Sequence, residues 1–239
     1  KTPAEDGYVS YTNSLTIDSQ GTLHLTFQLF HGDPQVSPFV GYLRSPDDGT
    51  TWTHSDGTPV ELPGTIDTVE IVDEYTDGHV YCHSVVCDLA GHVFILATAA
   101  ETEWISLYRL NRPGQWKRID LLPPIRGMFP DYIMGVQGNL SFTDDGTLFV
   151  AMDVKKFGGR WADVSTESIL LHSSDLGETF SGLNVSQLNP EIPHFLTSVE
   201  RPIKGQPLDH LPSLIYTAGF AGGSNQTEDT TEIHLVTLE

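Results

Sequence analysis

Positive charge is scarce in this sequence: 12 Lys and Arg stand against 32 Asp and Glu, a formal net charge of -20. Such a surface repels phosphate backbones and anionic lipid, so no nucleic-acid partner is expected. Long apolar runs are missing as well. None approaches the ~18 residues that read as a membrane span, so no membrane insertion is expected. Cysteine is limited to Cys82 and Cys87 in "YCHSVVC". In an extended strand, residues five apart point to opposite faces and lie ~16 Å apart, which predicts two buried, reduced thiols. No His/Cys spacing suits a metal, and neither metal nor cofactor is expected. Helical periodicity is absent almost everywhere. The opening "KTPAEDGYVS" has no signal-peptide character, while sequons at Asn139, Asn184 and Asn225 are permissive for export. The expected localisation is secreted or periplasmic.

What is present is β structure with turns. Apolar residues make up 38% and charged residues 18%, with 22 Gly and 15 Pro, a profile of many short strands. At 239 residues the chain is long enough for one all-β domain. "SLTIDSQGTLHLTFQLF" (14–30) is a β-rich run, a turn at Gly21 and a second run. "SVVCDLAGHVFILATAA" (84–100) repeats this around Gly91, and "NLSFTDDGTLFVAMDV" (139–154) around Gly146. A fourth copy with a longer turn covers 194–219. Each copy is followed by a further strand, and in the first three a polar turn comes next. The tandem units predict propeller blades at about 13–66, 80–124, 132–190 and 191–239.

Two of the polar turns are nearly the same: "SPDDGTTW", with Ser45, Asp47, Gly49, Thr51 and Trp52, and "SSDLGETF", with Ser173, Asp175, Gly177, Thr179 and Phe180. The Asp carboxylate can accept hydrogen bonds across the turn, Gly supplies a positive-φ corner, and the aromatic ring anchors one end by burial. The turn after the second copy, "NRPGQW", lacks the Ser and the Asp. The two intact turns resemble the Asp boxes, or BNR repeats, of the sialidase-like β-propeller superfamily. The resemblance implies an all-β fold of four-stranded blades, at least four in number, as part of a six- or seven-bladed ring. A closed four-bladed ring is the alternative. In that superfamily the boxes lie on the periphery and are structural, so they carry fold and not reaction.

Ligands of such propellers bind where inner strands start and where second strands end. That rule selects His31, His83, Tyr132 and Asp153 as candidate catalytic residues. It selects Asn13, Arg126, Gln137, Lys155, Lys156, Arg160, Glu200 and Arg201 as candidate substrate-binding residues, with Asp33 beside them. Resemblance to exo-sialidases implies three arginines on the sugar carboxylate, a tyrosine nucleophile paired with a glutamate, and an acid/base aspartate. The chain has seven arginines, at 44, 109, 112, 118, 126, 160 and 201, and that triad cannot be assembled from their placement. The first expectation is a sialidase-type glycoside hydrolase, or a degenerate relative acting on or binding acidic glycans. The alternatives are a uronate polysaccharide lyase, which Asn13, His31 and Tyr132 resemble, and a non-catalytic glycan- or protein-binding propeller. "KKFGGRW" is the one cationic cluster, expected to face an acidic sugar as a unit.

Overall fold

Alternating apolar residues interrupted by glycine turns build seventeen strands and one short helix in the computed structural model, which describes residues 9–31, 36–99, 102–160, 162–186, 191–220 and 230–238. The first sheet holds β1 (Val9–Ile17), β2 (Leu23–His31), β3 (Val36–Ser45), β4 (Trp52–Thr53), β5 (Pro59–Val60) and β6 (Glu70–Glu74). β3 pairs with both β4 and β6, so the outer position is shared between a short hairpin and a returning strand. The second sheet is an antiparallel run of β7 (Val80–Cys87), β8 (Val93–Ala99), β9 (Ile105–Arg112) and β10 (Gln115–Asp120). The third holds β11 (Tyr132–Phe142), β12 (Leu148–Lys156), β13 (Glu167–Ser173) and β14 (Ser181–Asn184). The fourth is three-stranded: β15 (His194–Val199), β16 (Leu214–Phe220) and β17 (Thr230–Val236). These are antiparallel, propeller-type sheets in an almost wholly β chain.

The chain divides into two compact units. One comprises Lys1–Ala100, Ser106–Asp120 and Pro202–Pro207; the other comprises Glu101–Ile105, Leu121–Arg201 and Leu208–Glu239. In the first unit, Phe27, Leu29 and Leu43 of the first sheet pack with Val60 and Val69, and Leu25, Phe39, Trp52 and Ile66 border the cluster. The close fit explains Gly41, where an added Cβ would stand 2.4 Å from the Phe27 ring. In the second unit, Phe149, Ala151 and Leu170 of the third sheet meet Val199 and Leu214 of the fourth. Burying side chains of this size stabilises by about 1.5–3 kcal/mol each.

One helix departs from the all-strand reading. α1 (Leu122–Met128) starts at Pro123 and Pro124, where missing N–H groups cost nothing at a helix N-terminus. Met128 occupies the space over Gly182 of β14, its Sδ 2.1 Å from where a Cβ would stand. No helix among the described residues is long and apolar enough to cross a membrane.

The two Asp boxes are near copies. Asp47 Oδ1 accepts from Thr51 N–H at 2.8 Å and its Oδ2 from the Thr51 hydroxyl at 2.7 Å; Asp175 repeats both with Thr179 at 2.9 and 2.6 Å. Ser45 and Ser173 each donate to the box carboxylate and accept from the box glycine N–H at 2.8 Å. Two successive residues take positive φ in each turn, Asp48–Gly49 and Leu176–Gly177, one more than the single glycine corner expected. The Thr179 hydroxyl and N–H, then Ser173, hold the Asp175 carboxyl down at about 2. Trp52 and Phe180 are half-buried rather than sealed: Trp52 borders the core and donates Nε1–H to the Gly49 carbonyl at 3.1 Å.

The boxless turn of the second sheet is tied to the first sheet instead. Gly114 N–H donates to Ser55 Oγ at 2.9 Å, and both Ser55 and Trp116 Nε1 donate to the Glu70 carboxylate. Cys82 and Cys87 are free and buried, as expected. Their expected opposite orientation is corrected by a bulge between Cys82 and Ser84, which inserts one residue and resets the alternation. Burial raises both thiols, Cys82 to about 12, so they carry no thiolate at neutral pH.

Candidate functional site

Every inner strand carries a register shift near its start: between Val9 and Asn13, Cys82 and Ser84, Met134 and Gly138, and Phe195 and Ser198. Such bulges re-aim side chains, and three of the sequence candidates sit at them. In the first unit, Asn13 follows the β1 bulge and is exposed. His83 is the extra residue of the β7 bulge. Its Nε2 meets the Thr98 hydroxyl at 2.7 Å, and burial pushes its imidazole down to about 4. The ring is thereby held neutral at pH 7 and tied to β8. His31 closes β2, but its side chain and Asp33 lie outside the described residues.

In the second unit, Gln137 sits in the β11 bulge and its N–H donates to Asp153 Oδ1 at 3.1 Å. Asp153 is 1% exposed and fills the space over Gly135, so its carboxylate serves the bulge. Tyr132 pairs in register with Lys156 and stacks on Phe129 at 4.9 Å. Burial raises its phenol, with the negative charges of Glu167 and Asp163 adding to the effect.

The expected cationic unit is divided. Lys155 is 2% exposed and donates Nζ–H to the Gly159 carbonyl at 2.6 Å, whereas Lys156 and Arg160 are exposed on the turn. Alternation along β12 turns adjacent lysines to opposite faces, which a reading of the cluster as one unit ignores. Arg126 is paired with Glu103. Glu200 accepts from Ser213 N–H and from His210, which lower its carboxyl, and Arg201 is half-buried. Asn139 lies half-buried on an inner strand with its amide donating to the Thr197 carbonyl at 3.3 Å, a poor setting for a glycan acceptor.

The second unit also assembles a group outside the candidate set. Glu167 begins β13 and His194 begins β15, and they are 3% and 5% exposed. Glu167 Oε2 lies 3.2 Å from His194 Nδ1 and accepts from the Ser186 hydroxyl at 2.5 Å. His194 stands edge-on to Tyr216 at 5.6 Å, and Tyr216 stacks on its cross-strand partner His234 at 5.0 Å with rings 6° apart. His194, Tyr216 and His234 line a cavity of about 820 Å³. The signal for His194 was its place at the start of an inner strand, the same rule that selected the other candidates. Tyr216 and His234 lie within the second and third strands of the sheet, away from the strand ends that the rule selects. Among the described residues, no group of three His, Cys, Asp or Glu side chains could hold a metal ion.

Arginines are dispersed. Arg44 donates to Thr53, Arg109 to Asn111 and Arg118 to Ser106, each on its own strand or turn.

Residues 4–122 match the sequence model of a BNR repeat-containing family, just under half of the chain. No curated protein sequence matches. A PL25 ulvan lyase superposes with a TM-score of 0.68 at 12% identity, covering 99% of this chain and 53% of that one. A PL25 ulvan lyase bound to -[GlcA(1-4)Rha3S]- gives 0.67 at 12% identity with the same coverage. An α-L-arabinofuranosidase of Fusarium graminearum, in complex with an iminosugar inhibitor, gives 0.50 at 13% identity, covering 98% and 62%. The chain thus spans about half the length of the lyases it matches, and at these identities the likeness is one of fold. Residues 4–122 are thus similar to a BNR repeat-containing family, and the described sheets share the fold of the ulvan lyases.

Proposed function

We propose that the chain supplies blades to a carbohydrate-active propeller that processes or binds an acidic glycan, with uronate β-elimination favoured over sialoside hydrolysis. The observation that carries this preference is the dispersal of arginine. Four of the seven, Arg44, Arg109, Arg118 and Arg126, are engaged with separate partners, which leaves fewer than three in either unit for a shared sugar carboxylate. Sialoside recognition by a guanidinium triad needs that convergence. Elimination needs only a group that takes the proton α to the uronate carboxylate and a neutraliser for that carboxylate. Exposed Lys156 and Arg160, at the end of the third sheet where Tyr132 begins, suit the second role. A glycan of this kind is met outside the cytoplasm, so a secreted or periplasmic setting goes with this reading.

The test is to incubate the protein with uronate polysaccharides and with sialosides. Ultraviolet absorbance from a new conjugated double bond is expected with the former. Release of free sialic acid without that absorbance would reverse the preference. Retention on a uronate matrix with no product would mark a binding module.

A further inference from the structure

The cavity over the fourth sheet has features that suit a different sugar from an acidic one. Its wall is aromatic: the half-buried His234 ring is stacked on buried Tyr216 across β16 and β17, and Phe220, 52% exposed, stands near the end of the same wall. Flat rings of this kind take the C–H face of a pyranose, and their fixed pairing lowers the ordering cost of binding. Its polar groups are His194, Thr231 and Glu232, which offer hydrogen bonds to hydroxyls. Among the described residues no lysine or arginine lines it, while Glu232 lies at its edge and buried Glu167 stands behind His194. An anionic sugar would meet two carboxylates there with no neutralising cation.

A second observation points to a ligand. His194 Nδ1 is buried and makes no hydrogen bond, although the Glu167 carboxylate is 3.2 Å away. A buried ring nitrogen without a hydrogen bond is unfavourable, and a ring oriented with Nδ1–H toward the Glu167 carboxylate would relieve it. A hydroxyl bound on the cavity side would hold the ring in that orientation.

We propose that this cavity is a subsite for an uncharged glycosyl unit, with His234, seated on Tyr216, as the stacking surface and His194, backed by Glu167, as the hydrogen-bonding group. The proposal rests on the glycan reading above and adds the charge class that this cavity selects. The experiment measures binding of xylobiose, cellobiose and methyl rhamnoside, beside a uronate disaccharide, by saturation-transfer NMR and titration calorimetry. The wild type is expected to bind at least one neutral probe, and His234→Ala and His194→Gln to weaken it tenfold or more while leaving uronate binding unchanged. His234 lies on the outermost strand of its sheet, so that variant keeps the fold, which a thermal melt checks. Uronate binding with no neutral binding, or neutral binding unaltered in both variants, overturns the subsite and spares the glycan reading. Absence of binding to every sugar overturns both.

Discussion

Among the described residues, two histidine–carboxylate–tyrosine groups stand one in each compact unit, and they are built to opposite ends. In the first unit, His24 Nδ1 meets the Tyr42 hydroxyl at 2.6 Å and Nε2 meets Asp18 Oδ2 at 3.2 Å. Both ring nitrogens are engaged and the ring is 4% exposed. Asp18 also accepts from Gln20 and Thr22 N–H groups, so the histidine clamps the β1–β2 turn to the sheet. In the second unit, His194 has a carboxylate and a tyrosine beside it, but its Nδ1, 3.2 Å from Glu167, makes no aligned hydrogen bond among the described residues, and the ring borders open space. The same residue types are therefore structural where every lone pair and proton is used, and available where one is left over. Identity of the side chains does not distinguish the two; saturation of their hydrogen bonds does.

The largest effect should come from breaking the saturated group. His24→Ala strands the Tyr42 hydroxyl and weakens the Asp18 turn, and should cost about 2–3 kcal/mol in urea unfolding. His194→Ala removes a ring that makes no aligned hydrogen bond at Nδ1 and should cost clearly less in the same melts. Equal losses would erase the distinction drawn between them.

Acid should sharpen the contrast within the first unit. Burial lowers the His24 imidazole despite Asp18, and takes His83 from its ordinary 6.5 to about 4. The unfolded chain takes up protons below pH 6.5 that the folded His83 ring refuses until about pH 4. Stability should therefore fall as pH is lowered through that window, and His83→Gln should flatten the slope in urea melts taken at successive pH values. A slope unchanged by the substitution would place the effect elsewhere.

The smallest effect concerns the boxes. Asp175 is exposed, and its lowered carboxyl adds stability that is present above pH 3.8 and lost toward about pH 2. Asp175→Ala should lower the melting midpoint at neutral pH by a small, measurable amount and leave sugar binding per folded molecule unchanged. Loss of binding without a change in melting would give the box a role in recognition.

The repeats were legible because turns advertise themselves. Asp18, Asp88 and Thr143 each begin a turn closed by a glycine at positive φ three residues later, and the two boxes differ only in their middle residues and final ring. Hydrogen bonds there run between residues two to four apart, so local sequence is enough to specify them. The candidate site was less legible. Gln137 and His83 were placed at strand starts correctly, but the bulges that decide where they point arise from pairing with β12 and β8. The division of Lys155 from Lys156 has the same origin, since the pleat turns one inward to the Gly159 carbonyl and leaves the other in solvent.

By itself, the sequence determined the strand-and-turn rhythm, the two clipped boxes and the overall acidity, because these depend on short-range chemistry and composition. Only the tertiary structure decided that His83 is held neutral against Thr98, that Asp153 serves a bulge, and that His194, Tyr216 and His234 line one cavity with Glu167 behind His194. Those four residues lie on four strands, β13 of the third sheet and β15, β16 and β17 of the fourth, separated by up to 67 positions; strand register brings the last three together, and packing of one sheet on the other adds Glu167. The physical reason is range: a turn is closed by its own neighbours, whereas burial and hydrogen-bond saturation are properties of side chains that folding delivers from far along the chain.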